Sequence, residues 1–410
     1  MIEWNEQQQM IRDVVRRFIE AEVVPNVEAL EHGDMPPYDI LRKLYSTFGM
    51  GEMARARFAK QIEREKKGET KKRDEDGEGG SGEGVGMQLI PIIELCRHCP
   101  GMVTALGVSV GLTASAILGK GTTAQKERWG LDILTLDKIG AWAITEPGSG
   151  SDAFGGMKAT AKRTSDGGYL LNGNKTFITN GPYADTIVFI CKLEEAGVDP
   201  RDRKMLHFVL DKGMPGLVQS KPMRKMGLHS SPTGELFLTD VKVGLDRLLG
   251  ESEQKAVSEG KAGAKATFQT ERAGVAAMAL GMIERCLELS LAYAKERVQF
   301  GKPIGEFQLI QDKLARMEVA RLNVQNLVFR TLETAAQGRS MSFAEASAMK
   351  LYAARAADEV AQDAVQVFGG NGYMAEYKVE QLARDARVLR IYAGTDEIQI
   401  GAIARDLLSR

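Results

Sequence analysis

The sequence predicts an α+β protein in three parts: an N-terminal helical domain, a middle β domain and a C-terminal four-helix bundle. Three observations carry this. Apolar residues recur at helical spacing near the N-terminus and again after residue 268; between about Ile139 and Val243 the segments become short, alternating and bounded by glycine and proline; and the texture changes at two places, which divides the chain into 1–138, 139–249 and 250–410.

Taken in order, Met10, Ile11, Val14, Val15, Phe18 and Ile19 mark one face of an amphipathic helix over residues 3–24 that Pro25 ends. A second helix follows Pro37 through Ile40, Leu41 and Leu44, and Phe48-Gly49-Met50-Gly51 breaks it. From Arg55 to Gly84 dense mixed charge and a glycine-rich end leave almost nothing to bury, so an exposed, partly disordered insertion loop with a short helix at its start is expected. Residues 86–118 are apolar with a break at Pro100-Gly101 and predict two buried helices; Thr122 to Trp129 begins another. In the middle part Ala141 to Thr145, Thr186 to Lys192, Met205 to Asp211 and Glu235 to Val243 predict strands of a small barrel or sandwich, and alternation around Asn172-Gly173 predicts a hairpin. Residues 251–267 are polar. Then Val275, Met278, Ala279, Met282, Ile283 and Cys286 line one helix, Phe307, Ile310, Leu314 and Met317 a second, Leu351 to Val367 a third and Val379 to Tyr392 a fourth, an antiparallel bundle.

With 410 residues and 43% hydrophobic composition the chain can fill two or three cores, and a net charge of -1 argues against a nucleic-acid binder. No apolar run of membrane-spanning length is expected, and the charged N-terminus lacks a secretory core. The expected location is the cytoplasm, or the mitochondrial matrix in a eukaryote. Four scattered cysteines make no disulfide framework; Cys96-Arg97-His98-Cys99 has metal-like local spacing but no second ligand pair, so a helix end is favoured and no metal is expected.

The stretch from Ala141 to Gly181 is the hub. A short strand runs into Glu146-Pro147-Gly148-Ser149-Gly150-Ser151-Asp152, where proline and glycines expose backbone amides, and a second strand ends in Phe177-Ile178-Thr179. Such a corner sandwiches a flat polar ring or is an ordinary turn between strands, and spacing alone leaves both open.

TEPGSGSD followed by NGNKTFITNG, then ERVQFGKPIGEFQ, QVFGGNGY and IYAGTDEIQ, resembles the acyl-CoA dehydrogenase family, in the family's order from about Ile139 to the C-terminus. The resemblance implies FAD as cofactor, an acyl-CoA substrate, electron-transfer flavoprotein as acceptor and a homo-oligomer built as a dimer of dimers. It implies removal of the α-proton of the thioester by a carboxylate while the β-hydrogen leaves as hydride to flavin N5. Many relatives carry that base just before Gly-Thr in the C-terminal motif, where this chain has Ala393. The isovaleryl-CoA and long-chain branches carry it in an ER pair, here Glu271-Arg272, so Glu271 is the implied base and the Ala393 N–H the donor to the thioester oxygen. Read without the family, Thr270-Glu271-Arg272 is a helix cap.

The same resemblance implies flavin contacts at Trp142, Ile144, Thr145, Gly150, Ser151, Phe177, Ile178 and Thr179, and contacts to the dinucleotide half at Arg297, Phe300, Phe307, Gln308, Gln366, Gly369, Gly370, Thr395 and Glu397. It implies substrate contacts at Ser151, Phe268, Gln269, Glu271, Arg272, Tyr392 and Gly394. Three departures stand out: Phe177 replaces a frequent tryptophan, Gln269 a frequent aspartate and His229 a common arginine, leaving His229 as a second acid/base or a structural residue. The alternatives are an oxidase, a dehydrogenase of a cyclic or steroid-type thioester, and a non-catalytic flavin or acyl-CoA binding protein.

Overall fold

The computed structural model describes residues 3–69 and 82–410, with the backbone alone described for helical residues 82–83 and 255–270. Asn5 and Gln8 form a capping box that starts helix Glu6–Phe18, and helical turns continue through Val27–Glu31. Helices Tyr38–Thr47, Met50–Lys66, Gly82–Cys96 and Pro100–Lys120 follow.

Seven strands come next: β1 Gly140–Ala143, β2 Thr160–Arg163, β3 Tyr169–Thr179, β4 Thr186–Leu193, β5 Met205–Asp211, β6 Leu217–Gln219 and β7 Thr233–Val243. They form one mixed sheet in the order β1-β4-β2-β3-β7-β6, with β5 on the other side of β4. Every residue of β4 is buried, as a strand flanked on both edges and covered on both faces must be.

Helices Glu253–Glu296, Gln308–Ala336, Phe343–Phe368, Val379–Arg387 and Asp396–Leu408 complete the chain. The expected faces of the first bundle helix are buried throughout: Val275, Met278, Ala279, Met282, Ile283 and Cys286. The two helical parts share one core, in which Val15, Phe18, Leu41, Ile93 and Met102 join Met278, Ile283 and Phe329. The sheet has its own, around Trp129, Leu171, Phe189, Phe208 and Leu236. Gly281 lets helices 82–96 and 253–296 approach, since a Cβ there would lie 2.1 Å from the Ile93 carbonyl oxygen.

Five expectations change. The Arg55 to Gly84 segment holds more helix than expected: the helix at its start is the end of Met50–Lys66, whose Glu65 and Lys66 side chains pair with Lys126 and Glu127 of the 123–130 turns, and helix Gly82–Cys96 begins within its other end. Residues 70–81 of that segment lie outside the described residues. No hairpin forms at Asn172-Gly173. β3 runs straight through, and Gly173 (φ +143°) sits at a bulge against β7, while the turn lies one signal earlier at Asp166-Gly167 (φ +82°). The polar residues after Gly250 are helical, so the first bundle helix is 44 residues long. The fourth bundle helix, expected over Val379 to Tyr392, ends at Arg387, and a further helix Asp396–Leu408 follows the Ala393-Gly394 corner. Finally, Pro100–Lys120 is long and apolar enough to cross a membrane by length and composition; 44% of its most apolar window is buried, and Ser109 and Thr113 lie against Gly140 at the start of β1.

Candidate active site

Two corners, one in the sheet and one in the bundle, gather the residues singled out above. In the first, Thr176 N–H donates to the Thr145 carbonyl at 2.9 Å and Lys175 Nζ to the Ile144 carbonyl at 3.0 Å, so β3 lies alongside the loop that leaves β1. Lys175 falls on the inward phase of β3 with Tyr169 and Leu171 and is wholly buried. Its ammonium is 2.8 Å from Glu146, whose carboxylate also accepts from the N–H groups of Lys158 (2.6 Å) and Ala159 (2.9 Å). Burial depresses the Lys175 pKa, and Glu146 opposes the shift. This pair therefore clamps the ends of β1 and β3 and the start of β2 together.

Immediately beyond Lys175 a bulge throws Phe177 outward: it has φ +56° and is 65% exposed, while Ile178 is buried and Thr179 half-buried. Asn180 (φ +64°) then ties the strand end to the helices, donating to the carbonyls of Ala105 (2.9 Å) and Gly140 (3.0 Å) and accepting from Tyr38 Oη at 3.0 Å. Trp142 is half-buried with its ring 5.9 Å from that of His207, and Gly150 and Ser151 are exposed. A Cβ at Gly148 or Gly150 would meet nothing, so the turn has open space before it.

In the second corner, Glu271 sits 18 residues inside helix Glu253–Glu296, so it caps nothing and is not at the helix start. Desolvation raises its pKa to about 7, with Arg272 and Lys350 pulling the other way. Arg272 is buried, donates from Nη1 to Ser347 Oγ at 2.8 Å and lies 4.0 Å over the Phe343 ring. Tyr392 Oη lies 3.3 Å from Met278 Sδ, and burial raises its pKa. Ala393 (φ +52°) and Gly394 (φ +87°) turn the chain through left-handed conformations. Their carbonyls are held by Gln399 Nε2 at 2.9 Å each, and Gly394 O also by Lys350 Nζ at 2.7 Å. The N–H groups of Ala393 and Gly394 have no hydrogen-bond partner among the described residues.

The remaining residues form two further sets. Arg297 and Phe300 lie on the small hairpin that follows helix 253–296, where Phe300 is 94% exposed at φ +54°, and Phe307 and Gln308 stand at the start of helix 308–336. Arg297 makes no ion pair among the described residues, and the Phe300 and Phe307 ring centroids lie 6.0 Å apart. Gln366, Gly369 and Gly370 end helix Phe343–Phe368, next to Phe368 stacked on Tyr293. Thr395 caps helix Asp396–Leu408, and Glu397 is exposed beside it. No hydrogen bond, ion pair or ring contact among the described residues joins the hairpin set to the sheet corner. The side chains of Phe268, Gln269 and Thr270 lie outside the described residues. His229 is a tie between parts: its ring nitrogens face the carbonyls of Glu31 at 2.7 Å and Lys225 at 2.8 Å.

Sequence reasoning passed over Lys175, Glu146, Asn180, Lys350 and Gln399. For Lys175 the signal was present, a lysine on the buried phase of a strand, which demands a counter-charge. Cys96 and Cys99 are free, buried thiols whose pKa values burial raises, and Cys99 Sγ is 3.6 Å from Glu31.

Among known proteins, the sequence models of the acyl-CoA dehydrogenase N-terminal, middle and C-terminal domains match residues 75–137, 141–241 and 258–408. An acyl-CoA dehydrogenase of Bacillus subtilis is 36% identical, covering 98% of each chain. A caffeyl-CoA reductase-Etf complex subunit of Acetobacterium woodii is 35% identical over 99% of this chain and 100% of that one. The butyryl-CoA dehydrogenase structure from Megasphaera elsdenii superposes with a TM-score of 0.83 at 33% identity, covering 100% of both chains. An acyl-CoA dehydrogenase from Bacillus anthracis solved with FAD gives a TM-score of 0.80 at 29% identity, over 99% of this chain and 68% of that one.

Proposed function

The chain belongs to the acyl-CoA dehydrogenase family, and from that premise we propose that it converts an acyl-CoA thioester to its trans-2-enoyl-CoA with Glu271 as the α-proton base. As a member it is an FAD-dependent oxidoreductase acting on a CH–CH bond. One observation carries the assignment of the base: Glu271 stands in a helix interior, desolvated to a pKa of about 7, near a corner where Ala393 leaves the alternative base position empty of any carboxylate.

The residues fit FAD. The open turn at Gly148 and Gly150, the half-buried hydroxyls of Thr145 and Thr179 and the exposed Phe177 suit a flat, polar-edged ring; Arg297 suits a pyrophosphate and the exposed Phe300 an aromatic base. Bound there, FAD supplies the acceptor that takes the β-hydrogen with its electron pair. The chain does the rest. Glu271 takes the α-proton onto a carboxylate oxygen, a step favoured because its proton affinity lies near neutral pH. As charge builds on the thioester oxygen, the Ala393 N–H donates to it, at a position set by the carbonyls of Ala393 and Gly394, which Gln399 and Lys350 hold. Tyr392 and Met278 lie against each other beside this corner, and alanine in place of a glutamate at 393 leaves the acyl slot wider, which suits a branched or bulky acyl group.

The division at 138/139 and 249/250 is retained, supported by strands β1 to β7 falling between those limits. The separation of the hairpin set from the sheet corner within one chain supports a homo-oligomer, a dimer of dimers in which one protomer supplies the dinucleotide contacts of its partner. Electron-transfer flavoprotein is the proposed acceptor, supported by the relative named for an Etf complex, and the cytoplasm the proposed location.

The test is anaerobic flavin absorbance of the wild type and of Glu271→Gln, titrated with straight, branched, cyclic and aryl acyl-CoAs. Bleaching of the wild type by one class, slowed about 10²–10⁴-fold in the variant with its flavin retained, is the expected result. Bleaching at an equal rate in both proteins means that another group is the base. A wild type that no thioester bleaches points to a binding protein or to an acyl group outside the panel.

A further inference from the structure

Behind the Glu271 corner lies a buried lysine that the reaction as written does not use. Lys350 is wholly buried on helix Phe343–Phe368, less than one turn beyond Ser347, whose hydroxyl holds Arg272. Its ammonium donates to the Gly394 carbonyl at 2.7 Å, an oxygen that Gln399 Nε2 also reaches at 2.9 Å. Ala393 has no glycine freedom yet sits at φ +52°, so the corner persists because neighbours hold it.

Charge around the lysine is lopsided. Glu271 and Arg272 face it from helix 253–296, Asp396 from helix 396–408 and Arg390 from the turn before the corner, while Tyr392 faces Glu271. Asp396 is the nearest candidate counter-ion, but its Oδ2 already accepts from Arg355 Nε at 2.9 Å and Arg390 Nε at 3.0 Å. Among the described residues no carboxylate makes an ion pair with the lysine, and its charge acts on the Glu271 carboxylate through low-dielectric protein, where such interactions are strongest.

We propose that Lys350 is a positioning residue for the reaction: buried behind the corner, it holds through its bond to Gly394 the turn that carries the thioester-oxygen donor, and its ammonium favours the ionised form of Glu271 that accepts the α-proton. The proposal rests on the reading of Glu271 as the base. Burial alone would keep a proton on that carboxyl; Lys350 and Arg272 oppose it, which leaves Glu271 titrating at about 7. Lys350 is itself held down to about 8, chiefly by burial, so it is still mostly charged at the pH near 7 where Glu271 titrates.

The experiment compares Lys350→Met, which removes charge and hydrogen bond, with Lys350→Gln, which keeps a donor for Gly394 O. The Glu271 carboxyl is followed directly in the flavoprotein by pH-difference infrared spectroscopy, its protonated band identified by loss in Glu271→Gln. Both variants are expected to raise its titration midpoint by roughly one pH unit. The acid limb of anaerobic flavin reduction should move with it, and only the methionine variant should also lose limiting rate. An unmoved infrared midpoint in both variants overturns the proposal. So does failure of both to yield folded flavoprotein, since Lys350 is then a folding requirement. A wild-type flavin that no thioester reduces defeats the functional reading instead, and the infrared titration still decides whether Lys350 sets the charge of Glu271.

Discussion

Replacing Glu271 by glutamine tests the desolvation of the base through stability as well as through rate. In the folded chain the carboxyl titrates at about 7, against 4.5 for the ordinary group, so between those values the native state holds a proton that the unfolded state has lost. Stability then falls as pH rises through this window, because the slope follows the protons bound by the unfolded state minus those bound by the native one. Above pH 7 the wild type carries the full penalty of an ionised, desolvated carboxylate. A difference of about 2.5 pH units at 1.36 kcal/mol each corresponds to about 3 kcal/mol, an upper figure because Glu271 keeps part of its surface open to solvent. Glutamine cannot ionise. The variant should therefore melt close to the wild type at pH 4.5 and above it by a few degrees at pH 8, with the gap opening between. Calorimetry or dye-monitored melting of both flavoproteins across this range makes the measurement. A gap that stays constant with pH would refute a desolvated Glu271, whatever the variant does to turnover.

Three further outcomes follow from the geometry. Lys175→Met strands the buried Glu146 carboxylate and should cost about 3–5 kcal/mol with weakened flavin retention, whereas pairing it with Glu146→Leu should recover part of that loss; denaturant unfolding of the two single variants and the double variant tests this, and additive losses would show that the pair is not coupled. Gly281→Ala forces a Cβ to within 2.1 Å of the Ile93 carbonyl and should destabilise the packing of helices 82–96 and 253–296 by about 1–3 kcal/mol, read as a lower melting temperature without change in the pH profile of flavin reduction. Ala393→Glu places a second carboxylate at the corner; repulsion between like charges should shift the acid limb of flavin reduction upward and lower kcat/KM for branched relative to straight thioesters, and an unchanged ratio would remove Ala393 from the acyl slot.

Periodicity was enough to place most elements. The strands at 186–193 and 205–211 match the expected bounds almost residue for residue, because each is a buried run of β-branched, aromatic and other apolar residues with clear turn residues at its ends. Asn172-Gly173 misled for a physical reason: glycine at positive φ serves a bulge as well as a turn, and only pairing with β7 decides between them. The helix expected at the start of the 55–84 segment runs on to Lys66, where Glu65 and Lys66 find partners across the fold that no local pattern reveals. Composition and motif order thus determined the α+β plan, the family and the chemistry that Glu271 and the flavin segments were expected to serve. Tertiary structure alone decided that the helical ends share one core while the sheet keeps its own, that Glu271 stands in a helix interior with its hydration stripped, and that Lys175 and Lys350 lie buried behind the two corners. Desolvation and charge pairing depend on what surrounds a residue in space, and the surroundings of these lysines come from segments tens of residues away in the chain.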